Sequence, residues 1–163
     1  MAKIHPTAIV EDGAQLGADV EIGPMAHIGP DVRLGDGVRV AQGAIVDGHT
    51  TIGAMCQIFP YACIGMKTQD LKYKDGSVSY VEIGERTVIR EFATVHLGTA
   101  DGEKTVIGSD CLFMCYCHAA HGVILGRLSP SHSTQNTPFF NIFLTAKFIP
   151  LGISETNFAI LQD

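Results

Sequence analysis

Eleven aliphatic residues recur at intervals of six without a break: Ile4, Val10, Leu16, Ile22, Ile28, Leu34, Val40, Val46, Ile52, Ile58 and Ile64. Four residues after each of the first ten stands a small or β-branched residue: Ala8, Ala14, Val20, Ala26, Val32, Val38, Ala44, Thr50, Cys56 and Ala62. The residue after the aliphatic is often glycine, as at Gly17, Gly23, Gly29, Gly35, Gly53 and Gly65. A period of six matches neither the 3.6 of a helix nor the two-residue alternation of a simple strand. It matches a short strand followed by a turn, with one large and one small side chain directed inward per repeat. Such a unit cannot bury its apolar face alone, so the repeats must stack on one another.

The register breaks after Ile64 and resumes, shifted, at Ile83, Ile89 and Val95. A second interruption, Ala100 to Thr105, replaces one hexad, and the count continues at Ile107, Phe113, Ala119 and Leu125. The inward small positions continue as Thr87, Ala93, Thr99, Cys111, Cys117 and Val123, which gives two cysteines a structural role as small core residues. This pattern resembles the hexapeptide repeat of the left-handed parallel β-helix. In that fold three hexads form one triangular coil, and successive coils stack as parallel strands. The left hand comes from the resemblance, against the usual right-handed crossover. About six coils at roughly 4.8 Å each give a prism on the order of 30 Å tall.

The expected fold is therefore all-β: a left-handed parallel β-helix over residues 1–126 with an excursion at 66–82. The excursion, MKTQDLKYKDGSVSYVE, carries Lys67, Asp70, Lys72, Lys74 and Asp75. A polar loop protruding from a rigid scaffold is where binding residues tend to be found. After Gly126 the repeat vanishes: the count lands on Ser131, Thr137, Phe143, Ile149 and Glu155, with Gln135, Asn141 and Lys147 at the inward small positions, and five of the eight phenylalanines fall in residues 127–163. Two readings of this tail stand: a cap over the open end of the prism, or a segment in which a shifted reading frame has replaced the repeat.

A net charge of -6 argues against nucleic acid as the main partner, because phosphate-binding proteins carry a basic excess. It leaves room for a small anionic ligand, which needs only a few local cations. The five cysteines (Cys56, Cys63, Cys111, Cys115 and Cys117) form no CxxC pattern and read as reduced thiols of a cytosolic protein. The N-terminal MAKIHPTAIVEDG lacks the apolar core of a signal peptide, and no apolar run approaches the length of a membrane span. A soluble, cytoplasmic protein is expected.

The candidate chemistry sits in Met114-Cys115-Tyr116-Cys117-His118-Ala119-Ala120-His121-Gly122. Histidine exchanges a proton near neutral pH, and this stretch places two of them three residues apart late in the repeat. His5, His27, His49 and His132 read as surface or turn residues.

Residues 1–126 resemble the bacterial UDP-N-acetylglucosamine 3-O-acyltransferases, which begin lipid A synthesis. The opening IHPTAIVEDGAQLGADVEIGP is common in style to many hexapeptide transferases. More specific are the excursion Gln69-Asp70-Leu71-Lys72-Tyr73 and the pairing of His96-Leu97-Gly98-Thr99 with His118-Ala119-Ala120-His121. The resemblance implies roles residue by residue. His121 is the general base that removes the proton of the sugar 3-hydroxyl as it attacks an acyl-carrier-protein thioester. His118 contacts the sugar, and Asp70 with Gln69 grips the glucosamine hydroxyls. Lys72 and His96 lie near the diphosphate. No metal or cofactor is implied beyond the thioester donor, and the sites lie between adjacent subunits of a homotrimer.

This chain departs from the family pattern at Leu97, usually an arginine, and at Gly122, usually an acidic residue. The family also carries further coils and a C-terminal helical domain, which bring the oxyanion donor, the uridine contacts and the far part of the acyl groove. Three other readings compete: an N-acyltransferase on the same scaffold, a γ-class carbonic anhydrase with zinc on His96, His118 and His121, and a non-catalytic β-helix module. The QDLKY loop disfavours the first. Two ligands only three residues apart fit the second poorly.

Overall fold

Each hexad becomes one two-residue strand and one turn, and the chain visits three sheets in strict rotation. A computed structural model describes residues 1–126 and the strand Phe140–Ile142. Lys3–Ile4, Ile9–Val10 and Gln15–Leu16 begin the three sheets, and Glu21–Ile22 returns to pair in parallel with Lys3–Ile4. The same rotation continues through His118–Ala119 and Ile124–Leu125, giving the six coils expected of the left-handed parallel β-helix. The first sheet gains a seventh strand where Phe140–Ile142 pairs with Cys111–Phe113. The readings of the rest of 127–163 lie outside the described residues.

The coils are held by backbone bonds running along the prism axis. Ile9 N–H donates to Ala26 O at 2.9 Å, and Ile45 N–H to Ala62 O at 2.9 Å. Inside, Ile22, Val40, Ile58, Ile89 and Phe113 stack as one column of the first sheet, all nearly inaccessible. The small inward residues from Val20 to Ala62 are fully buried, so the interior is a dry apolar rod. Threonines tolerated there have found partners: Thr50 Oγ1 donates to Asp47 O at 2.6 Å, and Thr87 Oγ1 to Gly108 O at 2.8 Å. Cys56, Cys111 and Cys117 are buried and reduced, as their inward positions require, and burial pushes the Cys56 thiol up to about 11.

All three corners of the prism bend through left-handed backbone. Tyr61, Phe92 and Tyr116 occupy one of them with φ of 62°, 60° and 63°. Their rings stack coil upon coil, with centroids 5.5 and 5.1 Å apart and nearly parallel planes.

Both interruptions are inserted without disturbing the ladder. The excursion is shorter than 66–82, because its ends are claimed by the strands Cys63–Met66 and Tyr80–Ile83. A bulge at Gly65 lets the first of these continue past its corner, pairing Ile64 with Val95 and Met66 with His96. Only glycine fits there: φ is +76°, and a Cβ would run into Asp47 O and Thr50 Oγ1. The second interruption corrects one expectation. Thr99 is only partly buried, and Thr105, fully buried, takes the inward small position instead. The extra residues of the turn restore register at Lys104–Ile107, two residues before the aliphatic Ile107, as in every other coil.

Among the described residues no helix is long and apolar enough to cross a membrane.

Candidate active site

The two insertions leave the prism close together and are tied to each other. Gly102 N–H donates to Val78 O at 2.7 Å, Val78 N–H to Asp101 Oδ1 at 2.9 Å, and Ser79 Oγ to Gly98 O at 2.8 Å. The excursion therefore folds back over the turn at 99–103 and toward the coil that carries His118 and His121. Within it, Lys67 pairs with Asp75 at 2.6 Å and lies over the Tyr73 ring. Asp70 makes a local turn: its N–H donates to Thr68 Oγ1, its Oδ1 accepts the Lys72 N–H at 2.8 Å, and its carbonyl accepts the Tyr73 N–H.

That turn leaves the second carboxylate oxygen free to reach the repeat. Asp70 Oδ2 lies 3.1 Å from His121 Nε2, with both side chains largely shielded. The contact is made within one chain, so no second subunit is needed to bring the loop to this histidine. On the other side of the ring, Nδ1 is buried without a hydrogen-bond partner, and Glu103 Oε1 stands 4.0 Å away. Glu103 Oε2 accepts backbone N–H groups of Ala100, at 3.0 Å, and of Thr99. These two bonds hold the Glu103 carboxyl below the usual glutamate range, with a smaller contribution from the nearby His121.

His96 and His118 complete the cluster. His96 sits on the strand Thr94–His96 and is buried, while His118, one coil further on, is paired across from Thr94 and exposed. Their rings meet edge to face with centroids 4.6 Å apart. His118 Nδ1 also lies 2.7 Å from Thr94 Oγ1. Desolvation, then His118 and His121, hold the His96 imidazole below the ordinary histidine range. Desolvation and then His121 do the same for His118, partly opposed by Thr94.

The structure thus gathers Asp70, His96, His118 and His121 from the expected set. Gln69 and Lys72 are exposed, and Lys72 contributes its backbone N–H to the Asp70 turn. Glu103 was not singled out from the sequence. The signal available was an acidic residue inside an insertion one coil away from His121. Among the described residues no group of three or more His, Cys, Asp or Glu side chains could hold a metal ion, so the three histidines do not form a zinc ligand set. His27 pairs with Glu11 at 2.8 Å and His49 packs on Tyr80, in keeping with surface roles; His132 lies outside the described residues.

These histidine environments carry a stability consequence with a definite sign. The unfolded chain binds protons on His96 and His118 near the ordinary value of 6.5, whereas the folded chain resists them. Stability from this source is complete above that value and is lost as pH falls through the depressed folded-state values. The urea midpoint of the chain is expected to drop between pH 7 and pH 5. In His96→Gln the drop is shallower; a wild-type midpoint that stays level or rises over this range would contradict the assignment.

The hexad repeat on three stacked parallel sheets is the architecture of the bacterial hexapeptide transferases, and the family model for the bacterial transferase hexapeptide (six repeats) matches residues 13–48. Over its repeat region the chain is similar to the UDP-N-acetylglucosamine acyltransferases. It is 59% identical over 121 residues to the acyl-[acyl-carrier-protein]–UDP-N-acetylglucosamine O-acyltransferase of Chlamydia muridarum, and 49% identical over 121 residues to that of Chlamydia pneumoniae. Both matches cover 74% of this chain and 43% of the relative. The chain thus spans less than half the length of the curated relatives it matches. The solved UDP-N-acetylglucosamine acyltransferase of Campylobacter jejuni superposes with a TM-score of 0.67 at 46% identity, covering 73% of this chain and 46% of that one.

Proposed function

We propose that residues 1–126 form the sugar-acceptor part of an acyl-acyl-carrier-protein–UDP-N-acetylglucosamine O-acyltransferase, the enzyme of the first step of lipid A synthesis. The observation that carries this reading is the contact between His121 Nε2 and Asp70 Oδ2, which joins the polar excursion to the repeat at one imidazole. In this mechanism Asp70 accepts a hydrogen bond from a glucosamine hydroxyl. His121 takes the proton of the 3-hydroxyl through Nε2 as that oxygen attacks the thioester carbonyl of acyl-carrier protein. The proton then leaves with the departing thiolate, so the histidine returns neutral and no group is consumed. A buried His96 beside His118 supplies a donor surface for the sugar and its diphosphate, and Lys72, free to reach outward, supplies a cation. Gln69 joins the grip on the sugar, and His118 faces it.

The acyl donor is the carrier-protein thioester, with no further cofactor. The assembly is a cytoplasmic homotrimer, as the resemblance implies, and nucleic acid and membrane insertion play no part. In the family the oxyanion donor comes from coils beyond this region, and such a donor is commonly worth ~3 kcal/mol of barrier, or about a hundredfold in rate.

The test is made on the whole chain. UDP-N-acetylglucosamine is expected to perturb the NMR signals of Asp70, His118 and His121 in a saturable way, and carrier-protein thioester is expected to yield a sugar acylated on the 3-oxygen. The amino, 3-O-acylated counterpart of the same sugar nucleotide is expected to do neither. Acylation of that nitrogen in preference to the 3-hydroxyl, or no perturbation by either compound at millimolar concentration, would overturn the reading.

A further inference from the structure

Two carboxylates from different insertions flank the two nitrogens of His121, and only one of them is accounted for by the sugar-binding reading. Asp70 stands at Nε2; Glu103 stands 4.0 Å from Nδ1, a buried nitrogen with no hydrogen-bond partner. A buried polar atom without a partner is costly, and most so when it carries a proton. Glu103 is held for this place rather than merely near it. The Thr99 and Ala100 N–H groups grip Oε2 and leave Oε1 facing the ring. Glycines clear its path at both ends. A Cβ on Gly98 would lie 2.7 Å from the Glu103 Cβ, and a Cβ on Gly122 would collide with Oε1. A residue with a side chain at 122 and a carboxylate in its present position at Glu103 exclude each other.

We infer that Glu103 is the positioning residue of His121: its carboxylate accepts the Nδ1–H, holds Nε2 toward the acceptor hydroxyl, and balances the imidazolium formed when the proton is taken up. This rests on the base role proposed for His121. During the transfer, with the sugar hydroxyl on Asp70, no proton passes to Glu103; the ring keeps its Nδ1–H, and the acquired proton leaves from Nε2. When the sugar hydroxyl takes up the Asp70 carboxylate, the ring is released from its 3.1 Å contact and closes on Glu103 by about 1 Å to reach hydrogen-bonding distance. The groups that face the imidazole are then fully named: Asp70 from the excursion, Glu103 from the turn, and His96 and His118 from the neighbouring strands.

The contact is testable in the unliganded chain by titrating 15N-labelled histidines. Glu103→Gln keeps the shape and still accepts the Thr99 and Ala100 N–H groups, but removes the charge. In that variant the His121 midpoint is expected to fall by about half a pH unit or more, because the imidazolium loses an opposite charge at close range. The double variant Glu103→Ala with Gly122→Asp vacates the space that the new side chain needs and returns an acid to the ring, so the midpoint is expected to move back toward wild type. Asp is among the non-glycine residues that tolerate the φ of +67° at this position. An unchanged His121 midpoint in folded Glu103→Gln overturns the inference. Should that variant not fold, the reciprocal measurement decides: in His121→Gln the Glu103 carboxyl midpoint, followed by its 13C signal, must rise, and no rise overturns the inference equally. These readouts need no turnover. A failed titration leaves acyl transfer standing, and absent transfer with the expected titration leaves the Glu103 contact standing.

Discussion

Replacing His121 by alanine is expected to lower the proposed acyl transfer to UDP-N-acetylglucosamine by on the order of 10²- to 10⁴-fold, the range over which a positioned general base contributes. The loss falls on the chemical step, because the imidazole is the proton acceptor proposed for the 3-hydroxyl. The variant keeps its fold. His121 lies in a turn, partly exposed, and the strand His118–Ala119 beside it is held to Thr94–His96 by backbone pairing that the side chain does not enter. What does change is local: without the ring, Asp70 and Glu103 lose the group that stood between them, and the excursion loosens. Single-turnover rates with carrier-protein thioester, taken beside circular dichroism, separate these effects. Unchanged turnover would end the assignment of His121 as base, and lost turnover with lost β-sheet signal would assign it a structural role instead.

The largest loss of stability is expected inside the rod. Among the described residues Phe113 is the bulkiest fully buried side chain, in a column with the aliphatic Ile22, Val40, Ile58 and Ile89. Phe113→Ala removes the whole phenyl ring from a close-packed interior, at a cost of about 3–5 kcal/mol. Against the ~5–15 kcal/mol that holds ordinary domains together, this is from about a fifth to the whole of the total. Phe113→Leu, which fits the aliphatic column, loses much less. Urea unfolding reads both. A reduced midpoint with an unchanged slope means the whole rod unfolds together, whereas a shallower slope means that the coils around Phe113 have detached from the rest. A loss below about 1 kcal/mol would show that the coil bearing Phe113 is not packed as described.

The fold was legible because its determinant is one-dimensional. The step from Ile4 to Val10 to Leu16 states in sequence what the three sheets repeat in space, and Cys111 and Cys117 could be placed indoors by counting alone. The excursion was legible as a break in the count, although its ends were not: Met66 looks like loop until the bulge at Gly65 lets the strand run on, and Tyr80 to Glu82 look like loop until they pair with His49 to Thr51. The histidines were legible as chemistry in a scaffold that offers little else. Glu103 was not. Its meaning depends on how a five-residue detour folds back on itself, and on which residue of the next coil lies above it; neither is recorded by any interval in the chain. Gly122 had been readable only as a missing acid. In space it is an opening, and the acid comes through it from a different coil.

The meeting of Asp70 with His121 inside a single chain also changes how the cluster answers to dilution. Two groups on one polypeptide meet at an effective concentration fixed by the tether between them, here the coil and turns that separate residue 70 from residue 121, and that value does not fall when the protein is diluted. A pair shared across subunits would instead come apart with its assembly, following mass action. The imidazole and its two carboxylates are consequently a property of the monomer, present at any concentration at which the chain is folded, and association can add to this arrangement without being required to create it.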